Sequence, residues 1–236
     1  MKNLLVVSTS TVYGGEYLDY ITGEMAELFK DTEEVIFIPY ARPGGISHDS
    51  YTEKAAKAFD KIGKKVIGLH TFEDPVIAIK NAKGVFTGGG NTFVLVNALY
   101  KFEVMQPLRE AIFNGMPYMG TSAGSNICGV SMQTTNDMPI VYPPSFKTLG
   151  VIPFNLNPHY LDPDPTSKHM GETRETRIAE FHTQNTIPVV GLREGSWLRV
   201  KGDEIILKGD LDARVFKQGK KPYEISSGTA LNSELV

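Results

Sequence analysis

Short apolar runs alternate with helical patterns through the first two thirds of the chain, and this alternation predicts a parallel sheet covered by helices. The candidate strands are Leu4 to Ser8, Glu34 to Pro39, Lys65 to Leu69, Gly84 to Thr87, Pro117 to Gly120 and Ile187 to Leu192. After the first of them, Tyr17 to Phe29 sets Tyr17, Ile21, Met25 and Leu28 on one helical stripe. Ser50-Tyr51-Thr52-Glu53 has the spacing of a capping box, and Asp74-Pro75 supplies an N-cap followed by proline at the first helical position. Asn114-Gly115 predicts a helix end, because glycine tolerates the left-handed conformation found there. Beyond Glu194 the pattern changes to short alternating strands, Trp197 to Val200, Glu204 to Leu207 and Ala213 to Phe216, separated by glycine-containing turns. The Pro-rich stretch from Pro139 to Pro165 lacks either period and reads as a functional loop region. The expected fold is α/β, a mostly parallel sheet with helices on both faces and a short antiparallel C-terminal portion, in a single domain over residues 1–236.

Composition narrows the class. A chain of 236 residues accommodates one sizeable α/β core and at most a small second unit. A hydrophobic content of 41% with 22% charged residues argues against disorder or a fibrous repeat. A net charge of -3 argues against a nucleic-acid surface, and the pairs Lys64-Lys65 and Lys220-Lys221 read as solvated turns. No apolar run approaches the roughly 20 residues that span a bilayer. Met1-Lys2-Asn3 leads directly into a first strand too short for the apolar core of a signal peptide. The single Cys128 cannot form an internal disulfide and reads as a small buried apolar residue, so a cytoplasmic protein is expected. No His/Cys/Asp spacing reads as a closed metal site, and no cofactor is expected. Monomer and homodimer both remain open.

Gly120-Thr121-Ser122-Ala123-Gly124 matches G-x-S-x-G between a strand and an apolar helix start. In that setting the Ser122 hydroxyl stands exposed on a sharp turn, and the Ala123 N–H points toward a developing oxyanion. Without its setting the same pentapeptide would be an ordinary Gly/Ser loop. A second glycine loop, Thr87-Gly88-Gly89-Gly90-Asn91-Thr92, also lies between a strand and a helix, at the sheet end where open α/β folds bind ligands. It has neither P-loop nor dinucleotide spacing, so a phosphate cradle is not expected, and its bare backbone is suited to a second oxyanion hydrogen bond.

A serine hydroxyl needs a base in reach. Of five histidines, His70 ends a strand, His182 lies near a helix end, and His48 and His169 sit in polar loops. His159 differs, because Pro158 in Asn155-Leu156-Asn157-Pro158 restricts how its ring is presented. Two acids are candidates to orient that ring. Asp137 gives the chain order Ser, Asp, His; Glu194 gives Ser, His, Glu and follows the carboxyl end of a buried strand, which favours it.

These blocks together resemble the peptidase E family of α-aspartyl dipeptidases. The resemblance rests on Gly88 to Phe93, Ser122-Ala123-Gly124, TTNDMPIV from Thr134 to Val141, Asn157-Pro158-His159, Gly171-Glu172-Thr173-Arg174, and Gly191-Leu192 with Glu194-Gly195, in that order along essentially the whole chain. It implies a cytoplasmic, metal-independent serine peptidase that hydrolyses dipeptides with an N-terminal aspartate. Ser122 matches the nucleophile and His159 the base; the family's acidic partner corresponds to Asp137 or Glu194, with Glu194 preferred as orienter and Asp137 as a pocket residue. Gly90 and Ala123 match the oxyanion-hole amides. Arg174 matches the residue for the substrate's side-chain carboxylate, and Asn91 joins it as a substrate-binding residue. A guanidinium fork suits a carboxylate, although Glu172, Arg174, Glu175 and Arg177 also fit the solvated face of a helix running to Phe181. The chain departs from the family at Gly120-Thr121 and in the loop Asp162-Pro163-Asp164-Pro165, which bears on the leaving residue. Alternatives are a cyanophycinase-like peptidase with the same type of site, and a catalytically silent small-molecule binding protein.

Overall fold

The computed structural model describes residues 1–168 and 170–235; His169 lies outside the described residues. In chain order the strands are β1 (Asn3–Val7), β2 (Glu34–Ile38), β3 (Lys65–Gly68), β4 (Val85–Thr87), β5 (Tyr118–Thr121), β6 (Asn155–Pro158), β7 (Val189–Leu192), β8 (Trp197–Lys201), β9 (Glu204–Lys208), β10 (Ala213–Phe216) and β11 (Tyr223–Ile225). The helices are α1 (Thr22–Leu28), α2 (His48–Asp60), α3 (Pro75–Asn81), α4 (Thr92–Lys101), α5 (Met105–Phe113), α6 (Ala123–Asn126), α7 (Arg174–Phe181) and α8 (Asn232–Leu235).

A 7-stranded sheet has the order β3-β2-β4-β5-β1-β8-β9. Its first five strands are parallel, and β8 and β9 continue it antiparallel. The unbroken apolar runs of β1 and β2 are what a sheet covered on both faces requires. Side chains alternate with period 2. Leu4, Val6, Ile36 and Ile38 therefore meet α3, α4 and α5 through Ile79, Leu95, Leu99 and Leu108. Leu5, Val7, Val35 and Phe37 face the other way, onto Met25 and Leu28 of α1 and Tyr51 and Phe59 of α2. The mostly parallel sheet with helices on both faces is thus observed, with its antiparallel C-terminal part.

That C-terminal part is divided. A second, 4-stranded sheet has the order β11-β10-β7-β6, and β7, expected in the main sheet, lies here between β6 and β10. Its burial is the same in either place, so the apolar run reports burial and not neighbours. Val190, Leu192, Ala213 and Val215 share one apolar cluster with Leu4 and Val6 of the large sheet. Strand β6, inside the stretch read as loop, carries no hydrophobic signal because its buried side chains are largely polar. Asn155 is 0% exposed and exchanges hydrogen bonds with Ser131, whose N–H it accepts at 2.9 Å. Asn157, 3% exposed, donates to Thr134 O at 2.9 Å and Asn136 Oδ1 at 2.7 Å.

Two helix starts differ from expectation. Leu18 adopts φ 61° and donates its N–H to Ser10 O at 2.7 Å, so residues 19–21 form one 3₁₀ turn and α1 begins only at Thr22. Ser50 does not cap α2. Ser47 does, accepting the Ser50 N–H at 3.1 Å, which moves the start one turn earlier. Asp74 caps α3 as expected, accepting the Ile77 N–H at 2.9 Å. Gly115, at φ 101°, follows the end of α5. Cys128 is free and buried, and burial pushes its thiol pKa up.

Candidate active site

The carboxyl ends of β1, β4 and β5 bring together Ser8, the Gly88 to Asn91 loop and Ser122. Ser122 stands at φ 54°, ψ -111°, between β5 and α6. Such a conformation costs on the order of 1–3 kcal/mol and persists only where its surroundings enforce it. Here the Ser122 N–H is held by Val7 O at 3.1 Å. Ser125 Oγ accepts the Val7 N–H at 2.9 Å and lies 2.7 Å from the carbonyls of Val7 and Gly120, which ties the turn to β1. The two motif glycines are required by close approach: a Cβ on Gly120 would lie 2.2 Å from Gly124 O, and one on Gly124 would lie 2.2 Å from Thr87 O.

The second glycine loop lies directly against the serine. A Cβ on Gly89 would be 2.9 Å from Ser122 Cβ, and Gly90, at φ 145°, would drive one to 2.2 Å from Ala41 O. Tyr51 donates its hydroxyl to Gly89 O at 3.1 Å, which orients the peptide unit whose N–H belongs to Gly90. Among the described residues no backbone carbonyl takes the Gly90 N–H or the Ala123 N–H. Asn91 caps α4 by accepting the Val94 N–H at 3.1 Å, and its amide nitrogen donates to Met138 O at 2.9 Å.

His159 reaches Ser122 from the second sheet. It follows β6 at φ 53°, its N–H donates to Ser8 Oγ at 3.0 Å, and Ser8 Oγ donates to Leu192 O at 2.6 Å. Its Nε2 lies 2.9 Å from Ser122 Oγ and its Nδ1 lies 2.6 Å from Glu194 Oε1. With Nδ1–H donating to the carboxylate, Nε2 is left with a lone pair for the serine hydroxyl proton. The pair is not deeply buried: side-chain exposure is 37% for His159 and 51% for Glu194.

Asp137 is held elsewhere. Its Oδ2 accepts the Thr92 N–H and the Thr92 hydroxyl, both at 2.7 Å, and the Thr135 hydroxyl at 2.9 Å, at the amino end of α4. It borders a cavity of about 30 Å³ shared with Ser122, Ala123, Asn126, Asn136 and His159. Arg174 is the first residue of α7, whose N-cap is Thr173. It is half-buried and has no hydrogen-bond or ion-pair partner among the described residues. Burial, then the neighbouring Arg177, lower its pKa, while Asp137 acts in the opposite direction. The helix does run to Phe181 as a solvated face would, with Arg177 paired to Glu172 at 3.7 Å and Glu175 to Arg214 at 2.9 Å.

The structure thus brings Ser122, His159, Glu194, Gly90 and Ala123 together, sets Asp137 beside them, and leaves Asn91 as a helix cap next to the glycine loop. Sequence reasoning passed over Ser8, Thr92 and Thr135. Ser8 had a usable signal, as a polar residue closing an otherwise apolar central strand. His48, His70 and His182 are engaged with Tyr40, Asp49 and Asn185 O respectively, away from Ser122. Among the described residues no group of three or more His, Cys, Asp or Glu is arranged to hold a metal ion, and no helix is long and apolar enough to cross a membrane.

A family model describing peptidase family S51 matches residues 4–208. Fold, site and match define the class: the chain is an α/β peptidase. More narrowly, it belongs to peptidase family S51. A protein of Streptomyces coelicolor named peptidase E is 48% identical over 99% of this chain and 95% of its own. A Drosophila melanogaster protein named "probable alpha-aspartyl dipeptidase" is 47% identical over 92% of this chain and 90% of its own. The solved structure of a peptidase from an acI-B1 Actinobacterium superposes with a TM-score of 0.73 at 17% identity, covering 98% of this chain and 96% of that one, which supports the fold.

Proposed function

We propose that the chain is a serine dipeptidase that hydrolyses dipeptides with an N-terminal aspartate. The observation that carries this reading is the hydrogen-bonded series Ser122, His159, Glu194 at 2.9 and 2.6 Å on a strained strand-to-helix turn. Ser122 Oγ attacks the carbonyl carbon of the aspartyl residue while His159 Nε2 takes its proton, and Glu194 steadies the imidazolium. The Gly90 and Ala123 N–H groups receive the oxyanion. His159 then returns the proton to the leaving amine, the peptide C–N bond breaks, and an aspartyl ester remains on Ser122. Water, deprotonated by His159, attacks the ester carbonyl; the ester C–O bond breaks, His159 returns the proton to Ser122 Oγ, and aspartate is freed.

Charge supports the substrate class. The small cavity beside Ser122 is lined by Asp137 and by Asn126, whose buried Oδ1 has no hydrogen-bond partner among the described residues. It suits the α-ammonium of a free N-terminus and repels a carboxylate. Arg174 supplies the separate cation that an aspartyl side chain needs. The deciding experiment compares kcat/KM for Asp-Leu, Asn-Leu and N-acetyl-Asp-Leu. Strong preference for Asp-Leu over both is expected; equal turnover of the acetylated compound would remove Asp137 from ammonium binding.

A further inference from the structure

Behind the candidate site runs a series of five alternating charges, Asp162, Arg193, Glu224, Arg214 and Glu175. Arg193 Nε and Nη2 donate to the two Asp162 oxygens at 2.8 and 2.7 Å, and Nη1 and Nη2 donate to the two Glu224 oxygens at 2.9 and 3.1 Å. Nη1 also donates to Asp212 O, so all five N–H bonds of the guanidinium are used. Its side chain is only 16% exposed. Glu224 Oε1 also receives Arg214 Nη1 at 2.9 Å, and Arg214 Nε donates to Glu175 Oε2 at 3.0 Å.

Three members of this series lie within three positions of a candidate site residue. Asp162 is on the loop that begins with His159, Arg193 precedes Glu194, and Glu175 follows Arg174. The Arg193 guanidinium also lies over the ring of Tyr160, the residue after His159, at 5.6 Å. Glu194 and Arg174 have little else to hold them, whereas His159 is held by Ser8 at its N–H and by its two ring partners. Glu194 is half exposed, with His159 as its one hydrogen-bond partner among the described residues. His159 rests in a strained backbone state, and Arg174 starts a helix of 8 residues that buries only Ile178.

We propose that Arg193 and Glu224 are positioning residues: through Asp162 they clamp the loops of His159 and Glu194 together, and through Arg214 and Glu175 they seat the helix that carries Arg174. The proposal rests on the reading of Ser122, His159 and Glu194 as a catalytic series, and it divides the network into a half that serves bond cleavage and a half that serves substrate selection. Arg193 can do this where lysine cannot, because a planar fork holds two carboxylates in fixed relative orientation.

The test measures two readouts in parallel on the full chain: the rate at which a small fluorophosphonate labels Ser122, which needs no aspartyl group, and kcat and KM for Asp-Leu. Arg193→Met is expected to slow labelling and lower kcat together, on the order of 10²-fold for a displacement near 1 Å, and Arg193→Lys is expected to recover little. Asp162→Asn, which removes one partner and keeps the guanidinium, gives a smaller loss of the same kind and covers the case in which Arg193→Met does not fold. Arg214→Met is expected to leave the labelling rate unchanged and raise KM for Asp-Leu. Lower melting temperatures with labelling, kcat and KM all at wild-type values would overturn the proposal. If wild type labels at Ser122 but does not cleave Asp-Leu, the substrate reading fails while labelling of the Arg193 and Asp162 variants still decides the clamp.

Discussion

Ser122 and His159 share a backbone property: both are non-glycine residues at positive φ, 54° and 53°, and their side chains meet at 2.9 Å. They come from different sheets, and each is enforced by a hydrogen bond to β1 or the residue after it, Ser122 N–H to Val7 O and His159 N–H to Ser8 Oγ. Strand β1 is therefore the common support for nucleophile and base. Strain held by the core in this way fixes the two side chains before substrate arrives, which is the condition for an oriented proton transfer.

Replacing Ser122 with alanine is expected to lower kcat on the order of 10⁶-fold, since loss of a nucleophile abolishes what the other members can do. The fold and Asp-Leu binding should survive. Single-turnover kinetics with calorimetry on the same protein checks both, and a variant retaining a tenth of wild-type kcat would sink the mechanism.

Glu194→Gln is expected to lower kcat by about 10³ to 10⁴, because an amide neither holds the required tautomer nor stabilises the imidazolium. Asp137→Asn should act mainly on KM, given that Asp137 is engaged by Thr92 and Thr135 and not by His159. Steady-state kinetics of the two variants side by side is the measurement. The reverse pattern would transfer the orienting role to Asp137.

Arg174→Met is expected to reduce kcat/KM for Asp-Leu steeply and to change Asn-Leu little. A site built to pair a half-buried guanidinium with a carboxylate can reject the neutral analogue by about 10⁴, whereas a solvent-exposed arginine contributes about 1 kcal/mol or less. Arg174→Lys should recover part of the preference. An unchanged Asp/Asn ratio in Arg174→Met would return Arg174 to the surface of its helix and leave specificity to be sought at Asp137 and Asn91.

The charge series behind the site predicts a pH-dependent stability. Hydrogen bonds from Arg193 are the main cause holding the Asp162 and Glu224 carboxyls below their ordinary pKa values. A depressed folded-state pKa adds stability that is complete above the unfolded value, about 4 for these groups, and disappears as pH falls through the folded value. The melting-temperature gap between wild type and Arg193→Met should accordingly be full near neutral pH and close below about pH 4. A gap that stays constant across a series of thermal melts from neutral to acid would mean that Arg193 acts by packing alone.

The local sequence determined those features whose physics is local. Unbroken apolar runs forced buried parallel strands, Asp74-Pro75 capped a helix, and the spacing of Gly120 and Gly124 around Ser122 allowed a turn in which no Cβ fits. Family motifs then singled out His159 and both candidate acids. Only the tertiary structure decided between them as neighbours of the imidazole, because hydrogen-bond distance depends on how two sheets meet. The strand that leads to Glu194 joined the second sheet and still delivered its carboxylate to within 2.6 Å of His159, while Asp137 was drawn to the amino end of α4. Strand β6 escaped notice for a related reason: its asparagines are buried through hydrogen bonds to partners more than twenty positions away, and hydrophobic periodicity does not record a core built from amides. The network from Asp162 to Glu175 was invisible for the same cause, since charged residues read one at a time are solvated surface, and only folding made five of them neighbours.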